Sequence, residues 1–145
     1  MVKNLQVYSQ DSSINKISVH KLISYLRKEF NLTISFLSIS FISSVELRSI
    51  NKEYLNHDYE TDVITFNYSK KLKDIDGEIL ISLEEAKLNA KKYDVAYGKE
   101  LSRLVIHGML HLLNFDDNNK ENKKIMKRME NKLILSYNFT LFACK

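Results

Sequence analysis

Apolar positions change their period along the chain, and the changes mark nine elements in the order β-α-β-α-β-β-α-α-α. Leu5-Gln6-Val7-Tyr8 reads as a short first strand, and the polar stretch from Ser9 to Asn15 turns the chain. Val19, Leu22, Ile23, Leu26 and Phe30 then recur at three- and four-residue steps, which predicts an amphipathic helix. From Leu32 to Phe41 apolar and hydroxyl residues alternate. Ile34 and Phe36 fall on one face while Leu37, Ile39 and Phe41 fall on the other, so a bulge or bend is expected between them. Ser43 with Glu46 is a capping box opening a helix whose buried face carries Leu47, Ile50 and Tyr54. Val63–Tyr68 is rich in β-branched and aromatic residues and reads as a strand. A charged connection beginning at Lys70 and ending at Gly77 leads to the next strand, Glu78–Ser82. Ser82 with Glu85 is a second capping box, with Leu83, Ala86, Ala90 and Tyr93 facing the core. The most apolar long stretch, Leu101–Phe115, predicts a helix starting near Lys99. Asn118 with Glu121 opens a last helix directly after Asp117, with Ile125, Met129 and Leu133 inward. Phe139–Ala143 is a short apolar tail expected to dock on the body.

Strand and helix patterns in this order, with a hairpin among crossovers, give an α+β fold: a small mixed sheet of about four strands packed with about five helices. No repeat, low-complexity tract or linker breaks the pattern, so residues 1–145 are expected to form a single domain. No apolar run reaches 18 residues and the N-terminus lacks a signal-peptide core, which predicts no membrane span and a cytoplasmic location. The lone cysteine, Cys144, excludes an intrachain disulfide. A net charge of +4 and a pI near 9.0 are compatible with a polyanionic partner without requiring one.

Chemistry enters at H-G-M-L-H-L-L-N-F-D-D, residues 107–117. His107 and His111 are four apart, so a helix points both imidazoles the same way. Two neutral imidazoles on one helical face suit a zinc-type ion, each offering a ring nitrogen at about 2.0–2.1 Å. Asn114 is suited to a left-handed helix stop, after which the chain can return Asp117 as a third ligand. The same histidine spacing also arises by coincidence on a packed helix. Gly108 removes a side chain beside the pair, and it stands where a zinc peptidase of the H-E-x-x-H type carries its glutamate base, which argues against that activity.

This stretch resembles the signature of the YbeY family, zinc-dependent bacterial endoribonucleases of ribosomal RNA maturation. The match is at His107, Gly108, Leu110, His111, Leu112, Phe115 and Asp116. It departs at Asn114, where glycine is usual, and at Asp117, where a third histidine is usual. The resemblance implies one Zn²⁺ per chain held by His107, His111 and Asp117 on a zincin-like metal helix. With an aspartate as third ligand the divalent site keeps a charge near +1, which acidifies a bound water less than three neutral ligands would. The implied activity is hydrolysis of single-strand-type RNA by a zinc-activated water. The implied setting is 16S rRNA processing and ribosome quality control, with rRNA precursors as substrate and the small ribosomal subunit as partner.

The resemblance extends upstream to I-N-K-E-Y-L-N-H-D-Y-E-T-D-V-I-T-F, residues 50–66, matching at Asn51, Tyr54, Asp58, Thr61, Asp62, Val63 and Phe66. Leu55 stands where the family commonly has an arginine and Glu60 where it has proline; Gly77-Glu78-Ile79 resembles a Gly-Asp-Ile strand start. Phosphodiester hydrolysis needs positive charge where the transition state gathers negative charge. His57, or Lys70, Lys71 or Lys73, is a candidate substitute for the missing arginine, and Asp62 is a second catalytic candidate. In the alternative reading His57 is an exposed loop residue, and Asp58, Thr61 and Asp62 only brace the loop. Lys87, Lys91 and Lys92, then Lys120, Lys123, Lys124, Lys127 and Arg128, recur at helical spacing, either as solvated faces or as phosphate contacts. A competing functional class is a weakly catalytic or non-catalytic ribosome-assembly factor with a structural metal.

Overall fold

The computed structural model of the chain describes residues 1–57 and 61–136. Asp58, Glu60, the tail Phe139–Ala143 and Cys144 lie outside the described residues. The element order is β1 (Leu5–Ser9), α1 (Lys16–Phe30), β2 (Thr33–Ile42), α2 (Ser44–Leu55), β3 (Val63–Asn67), β4 (Asp74–Ser82), α3 (Leu83–Lys92), α4 (Tyr97–Leu112) and α5 (Lys120–Ser136). The four strands form one mixed sheet in the order β1-β2-β4-β3. β1, β2 and β4 run parallel, and β3 closes the edge antiparallel to β4. This is the α+β arrangement the periodicity predicts.

Strand alternation divides the packing between the two faces of the sheet. Leu37, Ile39, Phe41, Ile75, Ile79 and Ile81 are fully buried and join α1, α3 and α4 in the main core. The opposite face holds a small cluster of Ile42, Leu47 and Ile64, with Ile50, Phe66 and Leu80 against it, and this seats α2. An irregularity occurs in β2 but earlier than expected: it lies between Ile34 and Phe36, where Ser35 has no partner on β4, and not between Phe36 and Leu37, so Ile34 packs on the main-core side. Its cause is local: the Thr33 and Ser35 hydroxyls both donate to the Asp74 carboxylate, at 2.9 and 2.8 Å, and pin the extra residue outward.

Sequence periodicity misplaced two boundaries. β4 begins at Asp74, so Gly77 lies inside the strand instead of ending a turn. A Cβ on Gly77 would strike the Phe66 carbonyl oxygen and meet Leu112 at 3.0 Å, so glycine here permits a close approach of β3 and α4. The last helix is capped by Asn119 rather than Asn118, its side chain accepting from the Asn122 N–H at 2.8 Å. Its inward residues are Met126, Glu130 and Leu133, while Ile125 is 41% exposed. Tyr54 and Tyr93, expected to be inward, are 65% and 55% exposed. At α2 the capping box is half formed. Ser43 accepts from the Glu46 N–H, but Gln10 takes both the Ser43 N–H and the Glu46 carboxylate, tying β1 to α2.

α4 lies across β3 and β4. Leu101, Leu104, Val105, Ile106 and Met109 are almost fully buried, each contributing about 1.5–3 kcal/mol of hydrophobic stabilisation. Gly108 belongs to this face. A Cβ there would sit 2.7 Å from Ile79 Cγ2. The glycine therefore sets how closely the helix approaches the sheet, and it clears no space beside the histidines as the sequence suggested.

Candidate metal centre

The face of α4 turned away from the sheet is polar. Arg103, His107 and His111 follow one another at four-residue steps, with Glu100 one turn before Arg103. The apolar face fixes the helix on the sheet, so these side chains share a direction without any contact between them being needed.

What completes the centre is the way the helix ends. The Phe115 N–H bonds the Leu110 carbonyl at 3.0 Å and the Asn114 N–H bonds the His111 carbonyl at 3.0 Å, with Asn114 left-handed at φ 70°. This paired pattern is a Schellman stop, and Asn tolerates the left-handed position where glycine is more usual. Phe115 then packs partly buried against the core, and the chain doubles back. Asp116 turns to Asn122, accepting from its side chain at 2.6 Å, which leaves Asp117 to face the imidazoles.

His107 Nε2 and His111 Nε2 are 3.1 Å apart, and Asp117 Oδ2 is 3.8 Å from each. Donor atoms on a tetrahedral zinc with bonds of 2.0–2.1 Å lie roughly 3.3 Å from one another. The three separations bracket that spacing, and the donor set of two imidazoles and one carboxylate suits a divalent ion of zinc type. The three atoms lie within 4.8 Å of one another and could hold a metal ion. Burial, then the neighbouring His107, pushes the His111 pKa below its ordinary 6.5, while Asp117 and a hydrogen bond to the Phe115 backbone oppose the shift. The ring is therefore neutral near pH 7, the form that ligates metals.

Behind His107 stands a group that the motif does not contain. Its Nδ1 lies 2.7 Å from Glu130 Oε2 on α5. Accepting from Nδ1–H, this carboxylate fixes the tautomer that leaves Nε2 free for a metal. Glu130 is only 5% exposed. Burial would raise its pKa, but His107 and Arg103 together hold it below the ordinary value, so it is ionised. Arg103 Nη1 donates to Glu130 Oε1 at 2.9 Å, and its Nε and Nη2 fork onto the two oxygens of Glu100 at 2.8 and 2.6 Å. Burial disfavours the guanidinium charge, but Glu100 and Glu130 outweigh it and raise its pKa, so the charge is permanent. Sequence reasoning missed Glu100, Arg103 and Glu130. A visible signal was available: two charged residues inside an apolar helix, one of them a single turn before His107.

The other candidates scatter. Asp62 is half-buried and accepts from Asn89 Nδ2 at 3.0 Å, with Arg103 Nη2 at 4.0 Å. It meets the centre at second hand, through Arg103 and through Asn89, whose amide also donates to Glu100 at 3.2 Å. His57 is exposed beyond the C-terminus of α2, its N–H bonded to the Asn51 carbonyl at 3.2 Å. Leu55, at the end of that helix, is 40% exposed. A cleft of about 610 Å³ opens beside the centre, lined at one end by His107 and Asp117. None of His57, Lys70, Lys71 and Lys73 lines it; its cations are Lys99, Arg103, Lys123 and Lys127. Among the described residues, no helix is long and apolar enough to cross a membrane.

Comparison with known proteins gives the arrangement a context. The profile of the family described as Endoribonuclease YbeY matches residues 3–138. A protein of Azobacteroides pseudotrichonymphae named Endoribonuclease YbeY is 39% identical over 126 residues, covering 87% of this chain and 90% of its own. One of Parabacteroides distasonis with the same name is 34% identical over 130 residues, covering 88% and 91%. The solution structure of TM1509 from Thermotoga maritima superposes with a TM-score of 0.60 at 25% identity, over 91% of this chain and 90% of that one.

Proposed function

The chain belongs to the YbeY endoribonuclease family, and from that premise we propose that it is a zinc-dependent endoribonuclease whose metal is held by His107, His111 and Asp117. The observation that carries the reading is the convergence of two Nε2 atoms and one carboxylate oxygen at 3.1–3.8 Å, braced by an ionised glutamate behind one ring. A zinc ion there supplies Lewis acidity to a phosphodiester and lowers the pKa of water.

The chain's own residues do the rest. His111 is held neutral by burial, so little proton competition opposes ligation near pH 7. Glu130 holds the His107 ring in the ligating tautomer. Arg103 gives three of its five N–H groups to Glu100 and Glu130 and keeps Glu130 in place. The exposed lysines that line the cleft, Lys99, Lys123 and Lys127, offer positive charge to the substrate. Gly108 puts no glutamate beside the first histidine, which leaves a peptidase mechanism without its base.

The substrate in this reading is ribosomal RNA and its precursors, met on the small ribosomal subunit in the cytoplasm. The test is cleavage of single-stranded RNA by purified protein with and without added zinc. Zinc-dependent cleavage by wild type, abolished in His111→Ala, supports the reading. Equal cleavage by both assigns the activity to a contaminant and leaves an assembly factor with a structural metal.

A further inference from the structure

The cleft beside the centre has a composition of its own. One wall is α5, where Lys123 and Lys127 stand one turn apart and about 6 Å along the axis, on the same side of the helix. Lys99, at the start of α4, faces the same space. All three lysines are exposed, and among the described residues none makes an ion pair. The carboxylates in the cleft are differently placed: Glu100 and Glu130 are buried against Arg103, and Asp117 faces the imidazoles. The free charge on the rim is thus wholly basic. The lining also includes the buried Met126 and the half-exposed Tyr93, its ring 5.4 Å from the Lys92 ammonium.

We propose that this cleft is a nucleotide subsite for single-stranded RNA. Lys123 and Lys127 take successive phosphates on one side of the cleaved bond, and Tyr93 stacks a base. The proposal rests on the endoribonuclease reading and specifies the path of its substrate. Three features carry it. The volume, about 610 Å³, falls in the range of roughly 300–1,000 Å³ that suits small-ligand sites and is far too small for a duplex. Unpaired lysines beside apolar lining and an aromatic ring are the combination that holds single strands without reading sequence. The cleft lining also includes two candidate metal ligands, His107 and Asp117, so a strand lying in it passes beside them.

The test is fluorescence anisotropy of a short labelled single-stranded oligoribonucleotide on zinc-stripped protein, with cleavage by the zinc-loaded protein measured separately. Lys123→Ala with Lys127→Ala should weaken binding roughly tenfold and make the salt dependence shallower by about 0.7 per lost phosphate contact. In cleavage it should raise KM with kcat kept. Tyr93→Ala should weaken binding about tenfold while Tyr93→Phe retains it, because stacking needs the ring and not the hydroxyl. Lys21→Ala with Lys28→Ala, on α1 and outside the cleft, serves as the control and should leave both measurements unchanged. Wild-type affinity and salt slope in the α5 double variant, in a protein that still cleaves RNA, would overturn the subsite and leave the endoribonuclease reading intact. If the zinc-loaded wild type neither binds nor cleaves RNA, that reading fails first and the subsite with it.

Discussion

Residues 107–117 are poorer in polar groups than residues 50–66, yet it is the first stretch that gathers its side chains. Each follows a helix that stops at a left-handed asparagine, Asn114 at φ 70° in the first and Asn56 at φ 56° in the second. After Asn114 the chain doubles back over the last turn of α4, so Asp117 meets residues one and two turns inside the same helix. Beyond residues 58–60 the described chain resumes at Thr61 and enters the edge strand β3. Asn51 is buried, Tyr54 and His57 are exposed, and Asp62 turns to Asn89 and Arg103. A left-handed stop therefore makes a site only when the chain beyond it returns. Among its described residues the upstream block meets the centre at second hand, through Arg103 and Asn89.

The sharpest way to break this contrast is to remove a gathered side chain. His111→Ala should lower zinc affinity by more than about 100-fold, beyond the 10–100-fold that loss of a supporting group causes. Competition with a chromogenic chelator reads it directly, and unchanged affinity would show that the imidazoles are not ligands. Next comes the group joining the two blocks. Arg103→Met leaves Glu100 and Glu130, 2% and 5% exposed, without their counter-charge. Breaking such a pair from one side costs about 3–5 kcal/mol, so urea denaturation should show a loss of about 3 kcal/mol. Glu130→Gln is milder, because the amide oxygen still accepts from His107. It should lower zinc affinity about tenfold.

A smaller effect distinguishes the centre from the periphery by pH. The folded protein holds His111 below its ordinary pKa of 6.5, mainly through burial, so the unfolded chain binds the proton first. The contribution is complete above about pH 6.5 and is lost as pH falls towards the folded pKa. Metal-free wild type should thus lose stability below pH 6.5 more steeply than His111→Asn, as followed by chemical denaturation at a series of pH values. Parallel curves would show that the ring is not held neutral.

Most of this was legible in the sequence where the physics is local. The period of the apolar residues gave the element order, and spacing on one helix put His107 beside His111. A residue fit for a left-handed turn allowed Asp117 to return. What stayed hidden depends on contacts between distant elements. Glu130 meets His107 across 23 residues, and no periodicity announces that α5 buries a carboxylate. Gly108 reads as a gap beside the histidines because its neighbour in sequence is a candidate ligand, whereas its neighbour in space is Ile79. Tyr54 and Tyr93 fall on the apolar period yet are mostly exposed, since hydrophobic spacing says nothing about where a helix ends relative to the sheet.

The gentlest substitution tests whether the upstream block truly stands outside the centre. Asp62 is about a third exposed, lies 4.0 Å from Arg103, and shares Asn89 with Glu100. Exposed or partly exposed ion pairs contribute about 0–1 kcal/mol. Asp62→Asn keeps an oxygen for the Asn89 amide, and Arg103 keeps both of its closer carboxylates. It also removes one negative charge from a cluster of three carboxylates around one guanidinium, which offsets part of the lost attraction. Stability should therefore fall by less than about 1 kcal/mol, and zinc affinity should stay within about twofold, as for sites that do not couple. A tenfold loss of affinity, equal to that of Glu130→Gln, would mean that charge at Asp62 is felt at the imidazoles through Arg103. The two blocks would then be one site with two sequence segments, and the contrast drawn between them would be false.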